Sequence, residues 1–77
     1  MPKREELHRL MEDVAGMPPG EVASHKELLA LQGWDSLMGS ELRLAALERW
    51  GIRIDGVRLE ACRNVADIEA LFDPPLE

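Results

Sequence analysis

Cysteine, histidine and aromatic residues are scarce in this chain of 77 residues, which has one cysteine, two histidines and three aromatic side chains. Because Cys62 is the only cysteine, an internal disulfide is excluded. His8 and His25 stand far apart in the sequence and lack the spacing of paired zinc ligands. We therefore expect neither a disulfide framework nor a bound metal.

Long apolar runs are also missing from the sequence. No stretch approaches the roughly 20 residues that a membrane-spanning helix needs. Residues 1–6, MPKREE, pass directly into charged amphipathic sequence and lack the apolar segment of a secretory signal peptide. We therefore expect a cytoplasmic protein that does not bind membranes.

Basic charge is sparse and scattered, with 9 Lys and Arg against 15 Asp and Glu, a net charge of -6 and a pI near 4.8. A protein that binds nucleic acid needs a basic patch to displace counterions from the phosphates, so we expect no nucleic-acid partner. The acidity is consistent with a solvated surface and also with steering toward basic docking surfaces on partner proteins.

The length of the chain supports one domain, residues 1–77, with a single small core. Such a domain is too small to enclose the cleft of an enzyme. The candidate for a catalytic dyad would be Ser36 as nucleophile with His8 or His25 as base. The Gly-x-Ser-x-Gly sequence of a nucleophile elbow is absent, however. We expect no catalytic activity.

A first helix is predicted from Lys3 to Ala15, where apolar residues recur at the i, i+3, i+4, i+7 spacing and Gly16 supplies a stop. Its apolar positions are Leu7, Leu10, Met11 and Val14. Residues 17–32 begin with Pro-Pro-Gly after Met17 and are predicted to form a long loop with a short turn around residues 25–29. The loop's apolar anchors are expected to be Val22, Leu28, Leu29 and Leu31.

A second helix is predicted from Ser36 to Trp50, with Gly51 as its stop. At 100° per residue one face of this helix carries the expected core stripe. The stripe consists of Leu42, Ala46 and Trp50.

Two leucines of the second helix, Leu37 and Leu44, fall opposite the core stripe, with Glu41 and Glu48 beside them. A helix buried on one side only has no need of these leucines for its core. They could pack beneath the long loop, or they could form a face that docks on a partner protein.

The remainder of the chain predicts an extended connector and two short helices. Residues 52–54 would carry two isoleucines into the core, Asp55-Gly56 is a turn signal, and residues 57–62 could form one or two helical turns. Asn64 is a suitable N-cap for a last helix over residues 65–72, which residues 73–75 would stop. The prediction is an all-α fold, a small four-helix bundle of three main helices plus one short helix. Its expected core comprises Leu7, Leu10, Val14, Leu42, Trp50, Ile54, Ile68 and Leu71.

Five residues form the most distinctive motif, Gly33-Trp34-Asp35-Ser36-Leu37, at the start of the second helix. Downstream lie Glu41-Leu42, then WGIRI at residues 50–54 and NVADI at residues 64–68. Together, over roughly residues 5–72, these features resemble the acyl and peptidyl carrier proteins. That resemblance implies a four-helix bundle of the acyl-carrier type.

The resemblance implies that Ser36 is the attachment point of a covalent 4'-phosphopantetheine arm, with Asp35 helping to orient the modifying enzyme. A separate phosphopantetheinyl transferase would bring coenzyme A, Mg²⁺ and the catalytic groups. The terminal thiol of the arm, not Cys62, would hold an acyl or aminoacyl group as a thioester. An anion on Ser36 would also suit the amide groups and positive dipole end at the start of a helix.

Two departures from common family patterns bear on the subclass. The second helix carries two Glu and two Arg and is charge-balanced, unlike the acidic second helix of fatty-acid carriers, and Trp34 occupies a position that is often small. The chain is therefore more similar to discrete carriers of polyketide and nonribosomal peptide pathways. Trp34 could anchor the loop, or it could shield the arm or contact a partner.

The implied partners are a phosphopantetheinyl transferase, an enzyme that loads the acyl or amino acid group, and a downstream synthase or transferase; the carrier itself would be a monomer. The expected partner-docking residues are Trp34, Leu37, Met38, Glu41, Leu44 and Val57. Of these, Leu37 and Met38 are expected to be largely exposed. The alternative is a small helical adaptor that binds a partner through the second helix, in which Ser36 is only a helix cap.

Overall fold

The computed structural model describes residues 2–73 and 75–77 and shows four α-helices over those residues. Within this part of the chain no strand is formed, and a lone antiparallel bridge joins Glu27 to Asn64. The all-α prediction is therefore confirmed. Met1 and Pro74 lie outside the described residues. Met1 belongs to the segment in which no signal peptide is expected, and Pro74 belongs to the predicted stop of the last helix. The helices are α1 (Arg4–Ala15), α2 (Ser36–Trp50), α3 (Gly56–Glu60) and α4 (Val65–Glu69), with a 3-10 turn at Leu28–Ala30.

The bounds of α2 agree with the prediction because both ends carry local signals. The Asp35 side chain accepts a hydrogen bond from the Met38 amide at 3.0 Å and caps the start of the helix. Gly51 ends the helix in the left-handed conformation, with a φ of 66° that favours glycine. The position of Ser36 at the first turn is thus determined by its own neighbours in sequence.

Helices α3 and α4 differ from their predicted bounds. Helix α3 begins one residue earlier than expected, because the Asp55 carboxylate accepts hydrogen bonds from the amides of Val57 and Arg58 and caps it. Helix α4 is shorter than predicted and ends at Glu69. Residues 70–72 continue as turns in which Leu71 and Phe72 donate to carbonyls three residues back.

The core lies between α1, α2 and α4 and is closed by residues of the loop and of α3. It consists of Leu7, Leu10, Met11, Met17, Val22, Leu28, Leu31, Leu42, Ala46, Ile54, Leu59, Val65, Ile68 and Phe72. Helix α2 contributes only Leu42 and Ala46 to this set, together with the buried backbone of Gly39. Most of the remaining surface of α2 is therefore available for other contacts.

Trp50 is half-buried, so its expected place in the core was wrong. It lies at the last residue of α2, beside a small open cavity lined by Pro2, Glu6 and Ile52, and makes an edge-to-face contact with the buried ring of Phe72. The centroids of the two rings are 6.1 Å apart. Val14 and Leu71, which were also expected in the core, are half-buried and pack against it, as does Ile52 of the connector.

The long loop is held in place by two carboxylates of the helices. Glu12 of α1 is buried, and its Oε2 accepts hydrogen bonds from the amides of Gly20 and Val22, both at 3.0 Å. Glu69 of α4 accepts from His8 and Ser24, both at 2.7 Å, and also pairs with Arg4 at 3.2 Å. These contacts tie the loop to α1 and α4.

The second half of the loop pairs with the segment before α4. The Leu28 amide donates to the Arg63 carbonyl at 2.9 Å, and the Val65 amide donates to the Lys26 carbonyl at 3.0 Å. Val22, Leu28 and Leu31 are buried anchors as predicted, whereas Leu29 is fully exposed and its prediction as an anchor was wrong. The 3-10 turn places the consecutive residues Leu28 and Leu29 on different sides, so that of these two only Leu28 reaches the core.

Candidate functional site

Ser36 is an exposed residue at the first position of α2. The capping role belongs to Asp35, since its Oδ1 accepts from the Met38 amide. Among the described residues the Ser36 hydroxyl has no hydrogen-bond partner, and the amides of Ser36 and Leu37 have none either. Ser36 is therefore not a helix cap, which removes the role that the adaptor alternative gave it.

A groove opens beside Ser36, between the first half of α2, helix α3 and the loop segment 27–34. Its volume is about 1200 Å³, and it is open to solvent. The groove is lined by Glu27, Leu28, Leu29, Trp34, Asp35, Ser36, Gly39, Ser40, Arg43, Asp55, Gly56, Val57, Leu59, Glu60, Cys62 and Arg63. A side chain or group attached at Ser36 would thus have an adjacent cleft, mixed in polarity, to lie in.

Trp34 is half-buried, packs against the core and also lines the groove. Its backbone amide donates to the Leu31 carbonyl at 3.2 Å, which fixes the last turn of the loop before α2. The two interpretations of this residue, loop anchor and contact residue of the site, are therefore compatible. Its indole supplies one wall of the groove beside Asp35 and Ser36.

The expected docking residues fall into two groups. Trp34 and Val57 line the groove with Ser36, whereas the others lie along α2 away from it. Leu37, Glu41 and Leu44 are exposed on the side of α2 opposite the core, so they do not pack beneath the loop. Met38 was expected to be largely exposed, which was wrong: it is half-buried, because its position at 100° per residue falls toward the buried side of the helix.

Sequence reasoning missed several residues of α2 and of the groove. Leu47 is an exposed leucine three residues beyond Leu44, and that helical spacing could have identified it. Leu29 is fully exposed at the rim of the groove, and Arg43 lines its wall. No periodic signal marks Leu29, because the loop that carries it has no regular repeat.

The side chains near Ser36 include no base that would activate its hydroxyl. His8 is engaged with Glu69, and His25 does not line the groove. Cys62 lines the groove, but burial raises the pKa of its thiol, with Asp67 adding to the rise and Arg58 opposing it. A thiol with a raised pKa is largely protonated at neutral pH and is a weak nucleophile.

Neither a metal-binding cluster nor a membrane-spanning helix occurs within residues 2–73 and 75–77. In that part of the chain, histidine, cysteine and acidic side chains do not gather in threes as a metal ion would require. None of the helices described is both long enough and apolar enough to cross a membrane.

The fold and the site define a class of protein, a small helical bundle that presents an unpartnered serine at the start of a helix, beside an open groove. A protein-family model described as "Phosphopantetheine attachment site" matches residues 5–72. The chain belongs to this family, whose domains carry a covalently attached 4'-phosphopantetheine and are generally non-catalytic. No curated protein matches the chain.

The residues present fit such a group. The Ser36 hydroxyl is exposed and without a partner, and two free amides at the start of α2 suit a phosphodiester at that position. The groove beside it accommodates an extended, mixed-polarity arm. The identification of the chain as a phosphopantetheine carrier thus agrees with the physical chemistry of the site.

Proposed function

We propose that Ser36 bears the phosphopantetheine arm and that this chain carries an acyl or aminoacyl group between the enzymes of a polyketide or nonribosomal peptide pathway. A phosphopantetheinyl transferase attaches the arm, a loading enzyme charges it, and a downstream synthase or transferase takes the cargo. The observation that carries the assignment to Ser36 is its free, exposed hydroxyl at the first turn of α2 beside the groove.

The chain's own residues provide position and electrostatics. When bound, the arm supplies a terminal thiol that holds cargo as a thioester. Asp35 caps α2 through its Oδ1, which leaves the neighbouring amides of Ser36 and Leu37 free to donate to a phosphodiester. The Asp35 carboxylate is otherwise exposed and is available to the modifying enzyme.

The intact mass of the protein tests the assignment. After incubation of the full chain with coenzyme A, Mg²⁺ and a promiscuous phosphopantetheinyl transferase, the wild type should gain the mass of one arm. Ser36→Ala should gain nothing, and Ser40→Ala, a matched change one turn along the same helix, should gain one arm. An unmodified wild type, or a gain that persists in Ser36→Ala, would contradict the assignment.

The pathway assignment is supported by the outward face of α2, defined as Leu37, Glu41 and Leu44. Two exposed leucines flank the one carboxylate on this face, and the helix as a whole carries equal numbers of Glu and Arg. Such a face favours a partner surface with apolar pockets over one that depends on basic charge alone. This differs from the acidic helix of fatty-acid carriers.

Leu37→Ala should weaken recognition by the transferase without destabilising the fold. Since this side chain is 61% exposed, its loss should change the melting temperature by less than about 4 °C. An apolar anchor of an interface contributes more, so kcat/KM for arm attachment should fall about tenfold. Steady-state kinetics measured beside a thermal melt check both quantities.

Leu47→Ala is the matched control for this prediction. It makes the same chemical change on the same helix, at a residue almost three turns beyond Leu37 that is also exposed. Its kcat/KM should stay within about twofold of the wild type. Equal losses in the two variants would show that the outward face near Ser36 has no special part in docking.

A further inference from the structure

Four residues of α2 line the groove from one face of the helix: Ser36, Gly39, Ser40 and Arg43. They follow the i, i+3, i+4, i+7 spacing, so they form a continuous stripe that starts at the attachment residue. Gly39 contributes no side chain and Ser40 only a small one. Arg43 is therefore the first large side chain that an arm lying along this stripe would meet.

The guanidinium of Arg43 is held in place between α2 and the start of α3. Its Nε donates to the Ile54 carbonyl at 3.0 Å. It also lies against Gly56, where a Cβ atom would be 2.7 Å from Nη1 and 2.9 Å from Cζ. Gly56 does not adopt a left-handed φ, so the backbone does not require glycine there. The missing side chain instead provides the space that the guanidinium occupies.

The bond to Ile54 uses one of the five N–H groups of the Arg43 guanidinium. Over the described residues Arg43 forms no ion pair. Two of the groove carboxylates, those of Asp35 and Asp55, accept hydrogen bonds from backbone amides as helix caps. Its terminal Nη groups are thus available to a ligand in the groove. A planar guanidinium fixed in this way is suited to donate to oxygen atoms.

The charge around the groove indicates what kind of oxygen acceptor Arg43 would bind. Four carboxylates line the groove against two guanidinium groups, which disfavours a further anionic group beyond the phosphodiester that the amides at the start of α2 would bind. The carboxylates are Glu27, Asp35, Asp55 and Glu60, and the guanidinium groups belong to Arg43 and Arg63. A neutral acceptor such as an amide carbonyl avoids repulsion from these carboxylates while still accepting a charge-assisted hydrogen bond.

The distance from Ser36 to Arg43 along α2 is similar to the distance from the serine oxygen to the amide groups of the arm. Seven residues at 1.5 Å each place Arg43 about 10 Å beyond Ser36 along the helix axis. An extended chain advances about 1.2 Å per bond, so the two amide carbonyls of the arm lie roughly 7 and 12 Å from the serine oxygen and the thiol roughly 17 Å. Arg43 therefore stands at the level of the two amides and short of the thiol.

We propose that Arg43 binds the amide carbonyls of the phosphopantetheine arm and holds the middle of the arm in the groove. This inference rests on the proposed attachment at Ser36. The ligand class is a neutral secondary amide, so the contact is independent of the cargo. It leaves the thiol and its thioester beyond Arg43, where partner enzymes can reach them while the middle of the arm stays bound.

The test uses holo protein carrying an arm labelled with ¹⁵N at its two amides, and NMR relaxation of those amides. In the wild type the arm amides should be as rigid as the folded backbone, and the Nε–H signal of Arg43 should shift between the apo and holo forms. In Arg43→Gln the ratio of bound to free arm should fall about tenfold. Arg49→Gln, which removes the same charge from α2 outside the groove, should behave as the wild type.

Two further variants keep the test decisive if Arg43→Gln is unstable. Arg43→Lys retains the charge but lacks the planar fork, and Gly56→Ala displaces the guanidinium; both should release the arm. An arm equally mobile in the wild type and in every variant would overturn the inference while leaving attachment at Ser36 intact. Release of the arm by 0.5 M NaCl in the wild type would overturn it as well, because it would indicate binding to the phosphate. If the proposed function were wrong, the wild-type protein would gain no mass on incubation with coenzyme A and the transferase, so that no holo protein would be obtained for the NMR experiment.

Discussion

Replacing Leu42 with alanine should lower the free energy of unfolding by about 2 to 5 kcal/mol, the usual range for a buried leucine. Leu42 is completely buried and is the largest side chain that α2 gives to the core. Deleting it removes apolar contacts within the core and leaves a cavity. For a domain of this size the change corresponds to a drop in melting temperature of roughly 10 °C or more.

Leu44→Ala is the matched control for Leu42→Ala, two residues along the same helix. Its side chain is 55% exposed on the outward face, so the expected change is within about 0.5 kcal/mol. Urea unfolding followed by circular dichroism measures both variants. Similar losses in the two would mean that α2 is buried on both sides and that its outward face is not a docking surface.

Glu12→Ala should destabilise the fold by about 2 to 4 kcal/mol, although glutamate in a helix is ordinarily a solvated residue. Glu12 is 6% exposed, and its carboxylate accepts from the amides of Gly20 and Val22. Removing it leaves both amides without their partner and frees the beginning of the loop that leads to Ser36. Hydrogen exchange at these two amides should therefore accelerate more than exchange in α2.

Two variants separate the hydrogen bonds of Glu12 from its charge. Glu12→Gln keeps an oxygen acceptor, so its loss should be about 1 kcal/mol, since a neutral acceptor is weaker than a charged one. Asp13→Ala removes the same charge from the exposed neighbouring residue and should change stability by less than about 0.5 kcal/mol. If Asp13→Ala matched Glu12→Ala, the effect would come from charge and not from the loop.

The parts of the fold that the sequence predicted well are those with local signals. Helix α2 has an aspartate cap and a glycine stop, and its bounds agree with the prediction at both ends. The end of α1 was equally predictable from Gly16, whose φ is 69°. Ser36 could be placed at the start of its helix from the same signals, which is why the attachment site was accessible to sequence reasoning.

The parts that the sequence did not predict depend on contacts between distant residues. Glu12 and Glu69 look like ordinary solvated helix residues, and only the folded loop supplies their partners. Trp50 has core periodicity but lies at the end of α2, where less protein covers it. The spacing within α2 places Arg43 on the same face as Ser36, but its hydrogen bond to Ile54 and its contact with the backbone at Gly56 depend on a later segment of the chain, which that spacing could not show.

The most direct test of the central claim, attachment at Ser36, is the position of the added mass within the chain. Ser24, Ser36 and Ser40 are its only serines, and it has neither threonine nor tyrosine. After the protein is treated with coenzyme A and a transferase, trypsin cleaves it after Lys26 and Arg43 and so separates Ser24 from Ser36 and Ser40. The fragment ions of the peptide 27–43 then distinguish Ser36 from Ser40. We expect phosphopantetheine on Ser36 alone. Its presence on Ser24 or Ser40, or its absence from all three serines, would show that Ser36 is not the attachment residue.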